Sequence, residues 1–234
     1  MEVNEIREYG KKLMELMMLD KPFVAVKLAK SKDEIPEGYE ELAEEKRHCE
    51  MIQIARLERK KIYATLDKHL CKGGAYAIGV FRNPPEPLAT GKLYVKLGNF
   101  KDEEAAKKTV EAIPRVEDEI YASVYAPLDE ADFVPDSIVF IGEPLYALRL
   151  VQAMLYHKGG RFQADFSGIQ SLCADAVAAV YTRKAPNMTL GCNGSRKYAG
   201  IQPGEVVVAF PPEKLKDIVE AIEHFRQVWT CDSH

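Results

Sequence analysis

Cysteine is the residue type in this 234-residue chain that points most directly to chemistry. The five cysteines are Cys49, Cys71, Cys173, Cys192 and Cys231. Five are too few for a disulfide scaffold, and thiols in a reducing compartment stay free, bind metal or react. Thiolates suit zinc or an iron–sulfur cluster, and four of them complete either site. The cysteines are therefore the first candidates for a functional site.

Four of the cysteines lie in two segments that share one spacing of residue types. Cys49 and Cys173 are each followed after nine residues by Arg-Lys, and after four more by Thr-Leu. Each segment then reaches a second cysteine, Cys71 or Cys192, with a glycine two positions later. Because the order is kept throughout, the spacing predicts an internal repeat.

The repeat extends beyond the cysteines. Both segments carry the tetrapeptide Val-Glu-Ala-Ile, at 110–113 and at 219–222. The matches predict two related halves, one of about 20–115 and one of about 119–227, with an insertion at 137–170 in the second. Neither half has enough strands for a sheet of its own, so we expect residues 1–234 to form a single domain.

Two halves related by a pseudo-twofold axis would bring equivalent cysteines together. The predicted metal ligands are therefore Cys49, Cys71, Cys173 and Cys192, with an iron–sulfur cluster as the expected cofactor and zinc as the alternative. Cys231 lies outside the repeat and is assigned no role. No Cys-x2-Cys motif is present, and two other interpretations stay open: buried core cysteines or a redox disulfide within either pair.

Glycine-rich stretches next to the second cysteine of each segment are candidate ligand-binding loops. Backbone N–H groups and a serine hydroxyl can hold an anion there, and an arginine can bind it through two hydrogen bonds. An ordinary glycine-rich turn with solvated charges would have a similar sequence. The predicted ligand-binding residues are Gly73, Gly74, Asn193, Gly194, Ser195 and Arg196.

Two histidines stand close to the cysteines in sequence. His48 precedes Cys49, and His69 precedes Cys71 by two positions. Either could bind a metal or donate a hydrogen bond to a metal ligand, but adjacent residues of a helix point in different directions. A capping or surface role is the simpler interpretation of both. No dinucleotide-binding, P-loop, zinc-protease or nucleophile-elbow motif is present, so no catalytic residue is assigned.

Hydrophobic periodicity predicts the elements that must position these residues. Helices are expected at 3–18, 50–60, 102–113, 142–157, 170–182 and 213–227. Strands are expected at 23–28, 92–97, 120–126, 137–141 and 205–210, and a proline-rich loop at 83–87. The predicted fold class is α+β, with two pseudo-repeated αβ halves packed as one compact unit.

Composition limits the classes of partner. The net charge is −4 and the isoelectric point is about 5.8, which argues against a nucleic-acid binder that depends on bulk positive charge. The longest apolar stretch, 137–156, is interrupted by Glu143 and Arg149, so no membrane span is expected. The charged N-terminus lacks the apolar core of a signal peptide, and we therefore expect a cytoplasmic protein.

The runs at 71–76, 190–196 and 204–208 resemble the prokaryotic domain-of-unknown-function family 169. Gly-Cys-Asn-Gly-Ser-Arg at 191–196 is the most specific of them, and the resemblance covers about residues 10–225. The family is common in archaea and anaerobic bacteria, which favours an oxygen-sensitive cluster. The resemblance implies no catalytic residue.

The leading functional hypothesis is a metal or iron–sulfur protein that transfers electrons or performs redox chemistry near a small anion. Its expected partners are a small anionic ligand or a redox partner. The alternative is a metal-free protein that binds a small anion in a pocket between the two halves. A third hypothesis, a purely structural or interaction protein, predicts that neither the cysteines nor Arg196 matter beyond stability.

Overall fold

The computed structural model describes the backbone of residues 1–231 and the side chains of residues 1–228, which leaves the side chain of Cys231 outside the described residues. The strands are β1 (Val24–Ala29), β2 (Glu40–Glu41), β3 (Ile62–Ala64), β4 (Ala122–Pro127), β5 (Ser137–Gly142), β6 (Asn187–Thr189) and β7 (Val206–Phe210). The α-helices are α1 (Val3–Met17), α2 (His48–Leu57), α3 (Lys72–Ala77), α4 (Glu86–Ala89), α5 (Lys92–Lys96), α6 (Glu103–Ala112), α7 (Pro144–Leu155), α8 (Ala179–Arg183), α9 (Asn193–Tyr198) and α10 (Leu215–Cys231). A π-helix, Ser171–Ala178, leads directly into α8.

One sheet joins strands from both parts of the chain. The strand order is β2-β3-β4-β1-β5-β7-β6, and every neighbouring pair is antiparallel except β2 and β3. β1 and β5 pair at the centre, with Val24 opposite Val139 and Val26 opposite Ser137. The mixture of helices with this single sheet confirms the predicted α+β class.

Helices cover both faces of the sheet. Alternation along β1 directs Val24 and Val26 to one face and Phe23 and Ala25 to the other. The first face packs against α2, α3, α6, the π-helix and α8, and the second against α1, α7 and α10. The cysteine-bearing elements therefore share the first face.

Two of the predicted elements are wrong. Residues 92–97, predicted as a strand, contain α5, because Gly91 has a φ of 86° and turns the chain into a helix that buries only Tyr94. Period-two alternation is ambiguous over so short a run, and here it marks no sheet. The predicted loop at 83–87 ends early, since α4 begins at Glu86 with a proline in its first turn.

The segments around the four cysteines have the same order of elements. In each, a helix carries the first cysteine, a three-residue strand follows, and a six-residue helix begins after the second cysteine. Farther along the chain the similarity ends, because 92–97 contains a helix whereas 205–210 contains β7. The predicted insertion at 137–170 supplies β5, which lies at the centre of the sheet. The repeat as a whole stays a prediction.

Among the described residues, none of the helices combines the length and the hydropathy needed to cross a membrane.

Candidate functional site

The four cysteines predicted as ligands line one cavity of about 490 Å³. Cys173 is buried, Cys49 and Cys192 are partly exposed, and Cys71 is exposed. The cavity therefore has a closed end at Cys173 and an open end near Cys71. Residues far apart in the sequence meet here because α2, α3, α9 and the π-helix pack beside one another.

Cys71 and Cys192 hold equivalent positions at the starts of two short helices. Cys71 caps α3, and its sulfur accepts a hydrogen bond from the Gly74 N–H at 3.4 Å. Cys192 caps α9, and its sulfur accepts one from the Ser195 N–H, also at 3.4 Å. Both sulfurs therefore accept a backbone N–H at the start of a helix.

The other two cysteines lie near the beginnings of longer helices. Cys49 is the second residue of α2, whose start is fixed by the Glu50 carboxylate accepting from the Arg47 N–H at 3.0 Å. Cys173 lies in the π-helix, a conformation that is rare and is frequent at functional sites. α3 lies directly beside Cys173, since a Cβ at Gly74 would be in ordinary contact with its sulfur at 3.7 Å.

Burial and mutual repulsion disfavour thiolates at the closed end of the cavity. Burial is the largest cause that raises the pKa of Cys49 to about 12, and the nearby thiols of Cys192 and Cys71 contribute less. Burial also raises the pKa of Cys173 well above its usual value, with smaller contributions from the other three thiols. A bound metal ion would reverse this preference, since a coordinating thiol loses its proton.

Both histidines near the cysteines are buried and neutral. His48 Nδ1 lies 2.7 Å from the Tyr125 hydroxyl, and His69 Nε2 lies 3.0 Å from Ser123 Oγ. Burial lowers the pKa of His48 to about 3 and that of His69 to about 4. The expected capping or surface role is therefore wrong for both histidines, because their rings are packed in the core.

Tyr94, Gln170 and Arg47, which carry no recognisable sequence signal, also line the cavity, together with Tyr198. The Tyr94 hydroxyl accepts a hydrogen bond from Gln170 Nε2 at 2.6 Å, and burial raises the pKa of Tyr94. At the open side, the guanidinium carbon of Arg47 lies 3.7 Å from the centre of the Tyr198 ring. Tyr94 lies in the segment predicted as a strand, and Gln170 is the first residue of a predicted helix. Neither position indicates a site residue.

Buried polar contacts fasten α2 to the second part of the chain. Arg56 Nη2 donates to Glu205 Oε1 at 2.9 Å and to the Ile141 carbonyl at 2.7 Å. Gln53 Nε2 donates to the Ala199 carbonyl at 2.9 Å. These contacts hold the helix of Cys49 against the segment that connects α9 to β7.

Comparison with known proteins agrees with the resemblance seen in the sequence. A family model described as "Uncharacterised ArCR", domain-of-unknown-function family 169, matches residues 12–221. The chain belongs to family 169. A relative from Methanocaldococcus jannaschii, described as an uncharacterized protein, is 92% identical over 231 residues, which are 99% of each chain. No solved structure matched the chain.

Most of the predicted ligand-binding residues of this family 169 protein lie together. Five line the same cavity as the cysteines, and they are Gly73, Gly74, Asn193, Gly194 and Ser195. Arg196 does not line it, because its guanidinium donates to the carbonyls of Leu190, Gln202 and Glu205. The structure thus gives Arg196 a loop-bracing position, and its predicted role in anion binding stays a prediction.

A second group of residues that could bind a metal lies on the other side of the sheet in this family 169 protein, near α7 and α10. Ligand atoms of His157, Asp217 and Glu220 lie within 4.8 Å of one another. The group is largely exposed, and Lys216 Nζ lies 3.9 Å from the Glu220 carboxylate. Surface ion pairing is sufficient to explain this arrangement.

Proposed function

We propose that the chain binds an iron–sulfur cluster through Cys49, Cys71, Cys173 and Cys192. The observation that carries the proposal is that these four cysteines, scattered along the sequence, all line one cavity. Four thiolates are the usual complete ligand set of such a cluster. When bound, the cluster would supply one-electron redox chemistry, and the protein would hold it, shield it and tune its potential.

The spacing of the sulfur atoms does not match a preformed site for a single zinc ion. Zn–S bonds of about 2.3 Å in a tetrahedron place the sulfur atoms about 3.8 Å apart. Within the described residues, no three of the four cysteines have their sulfur atoms within 4.8 Å of one another. A cluster accepts a wider set of thiolates, since its ligands bind different iron atoms.

The surroundings of the cysteines support the same proposal. The N–H groups of Gly74 and Ser195 reach the sulfurs of Cys71 and Cys192, and such hydrogen bonds tune cluster potentials. The four cysteines must stay reduced to bind a cluster, which requires a reducing compartment. The proposal therefore includes a cytoplasmic location. An electron-transfer partner or a small anion would approach from the open end, near Cys71.

Serine substitutions test the ligand set. After anaerobic reconstitution with iron and sulfide, the wild-type protein should be coloured, with broad absorbance in the visible range. Cys173→Ser and Cys192→Ser should each bind less iron per chain, whereas the matched control Cys231→Ser should bind the wild-type amount. Equal iron content in all of these proteins, or none in the wild type, would overturn the proposal.

The alternative is a metal-free protein that binds a small anion in the same cavity. Its volume of about 490 Å³ lies within the range of about 300–1,000 Å³ that small-ligand pockets occupy. The cations that line the cavity near the cysteines are Arg47 and Lys72 rather than Arg196. With benzoate as the probe, this alternative expects Arg47→Ala to weaken binding and Cys192→Ser to leave it nearly intact. Iron-dependent colour that is lost in Cys192→Ser contradicts it.

A further inference from the structure

Three described residues of the cavity wall, His48, Gln170 and Ser171, each have a buried polar atom without a hydrogen-bond partner. Of these, Gln170 is the one that contacts Tyr94. Gln170 is only 6% exposed and lines the cavity. Its Nε2 donates to the Tyr94 hydroxyl at 2.6 Å, but its Oε1 is buried without a hydrogen-bond partner. An amide oxygen that is removed from water and left unpaired destabilises the folded protein. The arrangement therefore indicates that a bound group supplies the missing donor.

Gly73 places the backbone of α3 directly against this contact, on the wall of the same cavity. A Cβ at Gly73 would lie 3.2 Å from the Tyr94 hydroxyl oxygen and 3.6 Å from Gln170 Nε2. Any side chain at this position would therefore crowd the Tyr94–Gln170 contact.

The backbone at Gln170 is strained as well. Its φ is 51°, in the left-handed region, and it stands immediately before the π-helix that carries Cys173. Non-glycine residues in this region are uncommon and cluster at ligand clamps and active sites. Met18, Arg59 and Lys184 share this conformation, but of these four described residues only Gln170 lines the cavity.

We propose that Gln170 and Tyr94 form a binding subsite for an uncharged small molecule that carries a carbonyl group next to an N–H group. Primary amides, lactams and ureas belong to this class. Gln170 Oε1 would accept from the N–H of the ligand, and the Tyr94 hydroxyl would donate to its carbonyl oxygen. This inference rests on the proposed function, because the ligand would share the cavity with the cluster.

The proposed class of ligand is the same for either orientation of the Gln170 side-chain amide. If the amide were turned by 180°, Tyr94 would donate to Oε1, the phenol oxygen would accept, and Nε2 would donate to the ligand. Either orientation presents one donor and one acceptor side by side. The complementary group must therefore also contain one of each, which a carboxamide does and a carboxylate does not.

The walls around this subsite favour a ligand without net charge. Leu88, Leu93 and Leu97 line the cavity close to Tyr94 along the chain. The two cations of the lining bind other groups, Arg47 the Glu50 carboxylate and Lys72 the His69 carbonyl. An ion moved from water into such surroundings loses hydration that the neutral Gln170 and Tyr94 cannot replace. An apolar body attached to the amide would instead bury itself against the leucines.

Three probes of similar size test the subsite by isothermal titration calorimetry. Benzamide has both hydrogen-bonding groups, N,N-dimethylbenzamide lacks the N–H, and benzoate carries a charge. Wild-type protein should bind benzamide about tenfold or more tightly than either of the others. Tyr94→Phe and Gln170→Met should each weaken benzamide binding by a similar factor, whereas the exposed-glutamine control Gln202→Met should not.

Benzamide is titrated into metal-free and into iron-reconstituted wild-type protein, and the iron content of each sample is measured separately. Together these measurements distinguish the proposed subsite from the proposed cluster. Preferential benzamide binding in a protein that takes up no iron supports the subsite and overturns the cluster. Iron uptake with equal binding of benzamide and N,N-dimethylbenzamide, or with no benzamide binding at millimolar concentration, overturns the subsite. A crystal grown with benzamide that shows only a water molecule on Gln170 Oε1 also overturns it.

Discussion

At the scale of single residues, the thiols of the cavity differ in their chemistry. Cys71 is exposed, whereas burial raises the pKa of Cys49 to about 12 and that of Cys173 well above its usual value. Only the thiolate attacks an alkylating agent. At a pH four units below the pKa, about one Cys49 thiol in ten thousand is ionised. The metal-free protein should therefore show cysteines of unequal reactivity.

Alkylation of metal-free protein with iodoacetamide, followed by peptide mass spectrometry, checks this prediction. Near neutral pH, Cys71 should be labelled first and Cys49 and Cys173 slowly. Because the neutral thiol is the favoured form of Cys49, its labelling rate should rise about tenfold per pH unit up to about pH 12. Labelling of Cys49 at the rate of Cys71 near neutral pH would show that burial does not suppress its thiolate.

The candidate metal ligands could be predicted from the sequence because cysteine has few common roles in proteins of this kind. The spacing around Cys49 and Cys71 also occurs around Cys173 and Cys192. Tyr94 and Gln170 could not be predicted, since tyrosine and glutamine occur everywhere and only their placement distinguishes them. That placement depends on the left-handed backbone at Gln170 and on the packing of α5 beside α3, which no local pattern encodes. The capping or surface role expected for His48 and His69 is wrong for the same reason, because burial depends on the whole fold.

At the scale of elements, α2 is held in place by a buried ion pair. Arg56 and Glu205 are 5% and 12% exposed at their side chains, and their nearest charged atoms are 2.9 Å apart. Removing one partner of a buried pair leaves the other charged and unsatisfied, at a cost of about 3–5 kcal/mol. Arg56→Met should therefore destabilise the protein strongly and loosen the helix that carries Cys49.

Urea denaturation measures this effect against a matched lysine control. Lys108 and Glu104 form an exposed pair on α6 at 2.8 Å, and Lys108→Met should change the free energy of unfolding by less than about 0.5 kcal/mol. Arg56→Met should lower it by several times that amount. Equal denaturation midpoints for the two variants would show that the buried pair does not fasten α2.

Long elements could be predicted because their apolar periods extend over many residues. The expected helices at 3–18 and 213–227 correspond to α1 and α10, and the expected strand at 137–141 to β5. The strands β3 and β6 have only three residues each and the cysteine-capped helices six, which is too short for a period to emerge. The capping roles of Cys71 and Cys192 were therefore not foreseen.

At the scale of the whole molecule, one sheet and two shared cores predict that the chain folds as one unit. Each core contains residues from both sides of the connection between β4 and β5. A fragment ending at residue 134 would leave β1 without β5, and a fragment starting at 135 would leave β5 without β1. α1 and α10, which pack together, would also be separated.

Expression of fragments 1–134 and 135–234, alone and together, checks this prediction. Each fragment alone should lack a cooperative unfolding transition and dispersed amide NMR signals, because its share of the core is exposed. The two fragments produced together should associate and recover both properties. A cooperative transition in either isolated fragment would instead indicate two independent domains.

Metal analysis of protein isolated without oxygen tests whether the four cavity thiols hold an iron–sulfur cluster. We expect iron and acid-labile sulfide in equal amounts and in a whole-number ratio to the chain. One zinc ion per chain would show that the four thiolates bind zinc and not a cluster. A metal-free protein whose four cavity cysteines all react promptly with a thiol reagent would show that they hold no metal.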